Sequence, residues 1–226
     1  VISAADLGRF PLFAPLAEDV RAGLVEQLVA RPATRGEVLF VEGEPGDSVY
    51  VIVAGKIKIT RSAADGRENL LAVLGPGDVF GELSLFDPGP RTATATAVVD
   101  ADLASLGHDD LRHWLHTRPD AGELLLRVLA RRLRRTNDAM SDLVFTDVPG
   151  RVAKALLSLG DQFGVPHPGG VRVEHGLTQE ELAQLVGASR ETVNKALADF
   201  AGRGWIALES RSVVVLSPDR LARRAR

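Results

Sequence analysis

From about Thr34 onward the apolar residues of this chain recur at every second position, in short β-branched runs broken by Gly43, Gly46, Gly55, Gly66, Gly75 and Gly77. A period of two puts successive side chains on opposite faces, which suits a half-buried strand. The pattern predicts strands at Val49–Val53, Lys56–Thr60 and Leu70–Leu74, with a hairpin turn at Ala64, Asp65 and Gly66. The stretch "TATATAVVDADLASL" (92–106) supplies another strand pair. Several short strands at near-regular spacing predict a closed or rolled all-β module.

Helical spacing flanks this module on both sides. Before it, Leu16, Val20, Leu24 and Leu28 step by four, with Ser3 and Pro15 as start signals. After it, "DDLRHWLHTRP" reads as a short helix stopped at Pro119. A long helix follows to about Phe145, with Leu126, Leu129, Leu133, Thr136, Met140 and Leu143 as a heptad-like seam among charged residues. Such a stripe covers either its own domain or a second helix. The narrow seam, with polar Thr136 in it and Asn137 beside it, favours a second helix and suggests register-setting or a ligand contact. Asp147 and Pro149 then open a new helix, so the boundary falls near Phe145–Asp147. "VPHPGG" (165–170) reads as a loop.

The 226 residues fit one or two domains, and 45% hydrophobic with 25% charged residues is ordinary globular composition. With no cysteine there is no disulfide, thiolate zinc site, iron–sulfur cluster or cysteine nucleophile. His113 and His116 sit three apart near Asp109 and Asp110, a spacing that suits a solvated polar face better than a metal site, and no metal is expected. No run is apolar enough to span a bilayer, and the N-terminal residues lack the basic start and apolar stretch of a secretory leader. The expectation is a cytoplasmic protein with no membrane partner. Charge is uneven: residues 1–126 carry 11 Lys/Arg against 19 Asp/Glu, and residues 127–226 carry 16 against 11. A polyanion would therefore meet the rear half, although this asymmetry alone decides nothing.

The strongest motif is "LTQEELAQLVGASRETVNKALADFAGRG" (177–204). Thr178 with Glu181 forms a capping box, Gly187 ends the first helix, and Ser189 caps the second. Ala183 is small enough for a close crossing, and Val193, Ala196, Leu197 and Phe200 form an inner face. This is helix-turn-helix geometry. The outer face carries Arg190, Glu191, Asn194 and Lys195, which can read base edges, while Ser189 and Thr192 can reach phosphates. The bland alternative is an αα-hairpin with a solvated charged face. "GWIALESRSVVVLS" adds a hairpin, making the module winged.

A second motif, "FGELSLFDPGPRTATA" (80–95), places an isolated Arg91 before a strand, close to Gly81 and Glu82. A guanidinium there either bridges Glu82 or Asp87 to close the roll, or pairs bidentately with an anionic ligand.

In this order, and over nearly the whole chain, the parts resemble the cyclic AMP receptor protein / fumarate–nitrate regulator family of bacterial transcription factors, most nearly its actinobacterial cyclic-AMP-receptor-like global regulators. "FGELSLFDPGPRT" looks like the family's phosphate-binding cassette and "SRETVNKAL" like its recognition helix. The resemblance implies cyclic AMP as effector. Arg91 and Thr92 would hold its phosphate with backbone N–H groups around Glu82, Leu83 and Ser84. Gly81 would allow close approach, Glu82 would accept from the ribose hydroxyl, and Thr136 and Asn137 would contact the base. Thr92 stands where the family often has serine, and Lys195 where the best-known member has arginine, which leaves base preference there open.

The implied fold is α+β: residues 1–117 a cyclic-nucleotide-binding β-roll, 118–146 a long central dimerisation helix, 147–226 a winged helix-turn-helix. The implied function is a cyclic-AMP-responsive transcription regulator, not an enzyme, with double-stranded DNA, a second copy of itself and RNA polymerase as partners. Cyclic GMP in place of cyclic AMP stays open. The rivals are a ligand-independent DNA-binding regulator with a structural roll, and an enzyme with a cupin-like site, which the position of the histidines outside the predicted strands disfavours.

Overall fold

A computed structural model describes residues 2–63, 66–87 and 89–225. They group into two compact units, one of Val1–Ser62 with Ala72–Arg135 and one of Ala63–Leu71 with Thr136–Arg226. The turn predicted at Ala64 and Asp65 lies outside the described residues.

In the first unit, Ser3 and Asp6 form a reciprocal capping box that opens α1 (Ala4–Gly8), and α2 (Glu18–Gln27) buries Val20 and Leu24. Strands β1 (Val29–Ala33), β2 (Val38–Phe40), β3 (Ser48–Ala54), β4 (Ile57–Ser62), β5 (Glu68–Leu74) and β6 (Val79–Phe80) follow. After the short helix α3 (Leu83–Phe86) come β7 (Thr94–Ala97), β8 (Ala101–Gly107), α4 (His108–Thr117) and the long α5 (Pro119–Phe145). The strands form two four-stranded sheets, ordered β1-β8-β3-β6 and β2-β7-β4-β5.

The period of two is realised physically. In β7, Ala95 and Ala97 are buried opposite Ile59 and Ile57 of β4, while Thr94 and Thr96 are half-exposed. One apolar cluster lies within the roll and includes Ile52, Ile57, Leu74, Phe80, Ala95 and Leu103. A second joins Val49, Val51 and Leu106 to Leu7, Phe13 and Trp114 of the helical segments. Each fully buried side chain of this size contributes roughly 1.5–3 kcal/mol.

Helix α5 takes both parts the sequence left open. Leu125 and Val128 are buried in the second cluster, so one stripe lies on its own domain. Leu126, Leu133, Met140 and Leu143 are more than half exposed, so the seam itself stays uncovered within one chain. Among the described residues no helix is long and apolar enough to cross a membrane.

In the second unit, α6 (Val148–Phe163) is followed by β9 (Gly164–His167), β10 (Gly170–Val173), α7 (Gln179–Val186), α8 (Arg190–Gly202), β11 (Ile206–Glu209), β12 (Ser212–Val215) and α9 (Pro218–Arg224). The segment read as a loop at 165–170 is instead the β9–β10 hairpin of a sheet ordered β11-β12-β10-β9. Its prolines misled: Pro166 lies on an edge strand, where a missing N–H costs nothing to the ladder. Phe200 is buried and stacks on Trp205 at 5.5 Å, closing α8 onto the hairpin that follows.

Two side chains organise the corner between α5 and α6. Asp147 caps α6, accepting from the Gly150 amide at 3.0 Å and from Arg224 at 2.6 Å. Arg151 donates to three carbonyls: Thr146 at 2.8 Å, Val186 at 2.9 Å and Gly187 at 3.1 Å. One guanidinium thus ties the corner to the turn between α7 and α8.

The Arg224 guanidinium holds the Asp147 carboxyl below its ordinary value of 3.8. A group with a depressed folded pKa stabilises the fold above its unfolded pKa and loses that contribution as pH falls through the folded one. Asp147→Ala is therefore expected to cost about 1 kcal/mol at pH 7 in urea unfolding. The difference from the parent protein should shrink as pH drops below 3.8.

Candidate functional site

The loop from β6 to β7 is built around Gly81, Glu82, Ser84 and Arg91. Gly81 has φ +82°, and a Cβ there would stand 2.8 Å from Arg91 Nη1 and 3.0 Å from the Ser48 carbonyl. Only glycine allows that approach. Arg91 is 4% exposed. Its Nη1 donates to the Gly81 carbonyl at 2.9 Å and to Ser84 Oγ at 3.3 Å, and its Nη2 donates to the Ser48 carbonyl at 2.9 Å. The guanidinium carbon lies 4.2 Å from the centre of the Phe40 ring, a cation–π contact. Its backbone is stitched in as well: the Arg91 amide donates to the Glu44 carbonyl at 2.7 Å, and the Gly43 amide to the Arg91 carbonyl at 2.8 Å.

The Arg91 guanidinium makes its hydrogen bonds to neutral acceptors, with no carboxylate within hydrogen-bond distance among the described residues. Asp47 Oδ1 stands 3.9 Å from Nη2, beyond hydrogen-bond reach, on a side chain that is 92% exposed. The Nε is enclosed and has no hydrogen-bond partner among the described residues. Burial pushes the Arg91 pKa down, opposed by Tyr50 and by the carboxylates of Asp47, Glu44 and Glu82. A buried cation hydrogen-bonded to neutral acceptors is costly, and an anion within hydrogen-bond reach would repay that cost.

Glu82 is fully buried. It does not bridge to Arg91. Its Oε1 accepts instead from Nη1 of Arg132 on α5, whose Nη2 also reaches the Val79 carbonyl at 3.2 Å. Glu82 Oε2 is enclosed and unpartnered among the described residues. The site therefore offers one unpaired N–H on a cation and one unpaired carboxylate oxygen.

Leu83 and Thr92 are exposed in this loop, and Ser84 is buried. Thr136 and Asn137 lie exposed on α5 in the second unit. Sequence reasoning missed Arg132, hidden in an arginine-rich helix that reads as solvated. It also missed Gly46, where a Cβ would stand 2.2 Å from Ser84 Oγ and 3.1 Å from Arg91 Nε.

The second candidate region is the pair α7–α8. Thr178 and Glu181 form the expected capping box, with amide-to-side-chain distances of 3.1 and 2.7 Å. Gly187 ends α7 in the left-handed conformation, φ +67°, and Ser189 caps α8 by accepting from the Thr192 amide at 3.2 Å. Val193, Ala196, Leu197 and Phe200 are buried. Ser189, Arg190, Glu191, Thr192 and Lys195 are exposed on the outer side, and Glu191 pairs with Lys195 at 2.7 Å. Asn194 departs from the expected outer face: it is half-buried and its Oδ1 is enclosed.

Sequence comparison finds a match to the cyclic nucleotide-binding domain over residues 30–118 and to the Crp-like helix-turn-helix domain over residues 150–224. The chain is 59% identical to a CRP-like cAMP-activated global transcriptional regulator of Mycobacterium tuberculosis, over 97% of this chain and 98% of that protein. It is 36% identical to the cyclic AMP receptor protein of Thermus thermophilus, over 91% and 92%. Among solved structures, a CRP-family transcriptional regulator from Thermus thermophilus superposes with a TM-score of 0.74 at 30% identity, over 86% of this chain and 96% of that one. A c-di-GMP-responsive global regulator of Xanthomonas campestris gives 0.75 at 26% identity, over 88% and 99%.

The contact of Gly46 with Ser84 generates a prediction. Gly46→Ala overpacks the loop and is expected to cost about 1–3 kcal/mol in denaturant unfolding. Adding Ser84→Gly removes the two nearest of the three atoms the new methyl meets, leaving Arg91 Nε at 3.1 Å, and should recover most of the loss.

Proposed function

The chain belongs to the family of transcription regulators that join a cyclic nucleotide-binding domain to a Crp-like helix-turn-helix, and from that premise we propose that it is a cyclic-AMP-responsive, DNA-binding regulator acting as a homodimer on pseudo-palindromic sites. The observation that carries the ligand reading is the enclosed Arg91 guanidinium, hydrogen-bonded to neutral acceptors and unpartnered at Nε among the described residues, beside the orphan oxygen of buried Glu82. A cyclic nucleotide supplies what both lack. Its phosphate monoanion pairs with the guanidinium, and its ribose hydroxyl donates to the carboxylate. Gly81, Leu83, Ser84 and Thr92 complete the phosphate side, and Thr136 and Asn137 take the base. The two relatives named for cyclic AMP support that nucleotide over cyclic GMP.

Glu82 also supplies a route for the signal. Its carboxylate is held by Arg132 of α5. A ribose hydroxyl arriving at Glu82 competes with that pair and so biases α5. Ligand binding shifts the balance only as far as its affinity differs between the two states of the helix. The seam of Leu126, Leu133, Met140 and Leu143 supports a second copy as the partner that covers it. Two recognition helices, α8 of each copy, then meet major-groove sites about one helical turn (~34 Å) apart. Ser189 and Thr192 position the helix on phosphate, and Arg190, Glu191, Asn194 and Lys195 lie at the base edges. The proposed setting is the bacterial cytoplasm, with RNA polymerase as the partner of the DNA-bound dimer.

Anisotropy titration of a labelled target duplex tests this reading. Cyclic AMP is expected to tighten binding by roughly 5–150-fold, the usual span of an allosteric coupling of about 1–3 kcal/mol. Cyclic GMP should do markedly less. Arg91→Ala should abolish the response and the heat of cyclic AMP binding. Equal DNA affinity with and without cyclic AMP, in a protein that gives no calorimetric signal with it, would establish the ligand-independent alternative instead.

A further inference from the structure

Gln179 is the first residue of α7 and is exposed. Its Oε1 accepts from two residues of α8: Arg190 Nη2 at 3.4 Å and Asn194 Nδ2 at 3.2 Å. Asn194 Oδ1 is enclosed, with no hydrogen-bond partner among the described residues. Glu191 and Lys195, by contrast, pair with each other and are both exposed.

These surroundings separate residues that the sequence groups together. Reading adenine takes an amide that presents a donor and an acceptor to the same base edge. Asn194 has its oxygen enclosed and one of its two N–H groups donated to Gln179, so it cannot present a donor and an acceptor together and is built to hold rather than to read. Arg190 is in the opposite position. Nη2 is held by Gln179, and neither Nε nor Nη1 has a recorded partner among the described residues. A bidentate arginine–guanine contact requires a fixed guanidinium plane, and a long free side chain loses rotamer entropy on being fixed.

We propose that Gln179, braced by Asn194, is a positioning residue that orients Arg190 and thereby sets discrimination at the base pair Arg190 reads. The proposal deepens the DNA-reading role given to α8 and rests on it. Asn194 becomes a strut, and its contribution to specificity is indirect.

The test uses the full chain with saturating cyclic AMP. Duplexes would carry the target site, the same site with single base pairs exchanged in turn, or an unrelated sequence. Arg190→Ala identifies the base pair that depends on Arg190. If it changes discrimination at no base pair, the reading of α8 itself fails. Gln179→Ala is expected to lower discrimination at that same base pair by roughly 2–12-fold, the equivalent of one net hydrogen bond of about 0.5–1.5 kcal/mol. Affinity for the unrelated duplex and its salt dependence should not change, because no phosphate contact is removed. In the Arg190→Ala background Gln179→Ala should have no further effect on discrimination. Gln179→Glu keeps an oxygen acceptor and should preserve the ratio even if overall affinity falls. Asn194→Ala should act at the same base pair as Gln179→Ala.

Three results overturn the proposal. The first is unaltered discrimination in Gln179→Ala. The second is uniform weakening on every duplex, which makes Gln179 a direct phosphate contact. The third is an Asn194→Ala loss at a different base pair, which makes Asn194 a reader in its own right.

Discussion

Two ionisable side chains, Arg91 and Glu82, are withdrawn from water in one loop without being hydrogen-bonded to each other. That choice governs the rest of the cassette. Arg91 reaches across to the Gly81 and Ser48 carbonyls, so the end of β6 and the start of β3 are held by one side chain. Its backbone fixes the 43–44 segment through two further hydrogen bonds. Gly81 must lack a side chain because the guanidinium fills that space, and Gly46 must lack one because Ser84 does. Had Arg91 paired with Glu82, the roll would be closed by a self-sufficient ion pair with little left to offer a ligand. Instead each group keeps one enclosed atom that has no hydrogen-bond partner among the described residues.

Under the proposed function, helix α5 carries this local imbalance to the second copy. Its Leu125 and Val128 belong to the first unit's apolar cluster, and its Arg132 holds the Glu82 carboxylate. The adjoining stripe is apolar and uncovered, with Leu133 62% exposed. A row of large apolar side chains in water is unfavourable by roughly 25 cal/mol per Å² of surface left unburied. One helix therefore carries a polar contact to the cassette on one face and an unmet demand for packing on another. Under the proposed function, a ligand that competes for Glu82 acts on the element that the two copies share.

Much of this was legible in the residues, for reasons that differ by element. The strands of the roll declared themselves because one face is buried and the other wet, as Ala95 and Ala97 against Thr94 and Thr96 show. The α7–α8 pair was legible because caps and turns are local chemistry: Thr178, Glu181, Gly187 and Ser189 act on backbone within a few positions. The β9–β10 hairpin was not, because two prolines outweighed a short β-branched run, and only the sheet order reveals that β9 is an edge. Arg132 was invisible because its partner lies fifty residues away. Arg151 was missed for the same reason, since two of its three carbonyls belong to the turn after α7. Asn194 sits at a position that helical spacing assigns to the outer face. Its half-buried state depends on Gln179 of the neighbouring helix, which no single-helix pattern reports.

The neutral partners of Arg91 bear on how a switch of this kind stays reversible. A hydrogen bond to a charged group is worth about 1.5–3 kcal/mol, so the two carbonyl bonds of Arg91 already satisfy much of its demand without a ligand. A phosphate offers charge-assisted bonds roughly twice as strong as neutral ones. The free energy available for switching is the difference between these two sets, not the full strength of the new contacts. A guanidinium left wholly unsatisfied would bind its anion nearly irreversibly and would destabilise the loop in its absence. One already paired with Glu82 would answer weakly. Under the proposed function Arg91 lies between these limits, with Ser84 Oγ as a further neutral acceptor at 3.3 Å.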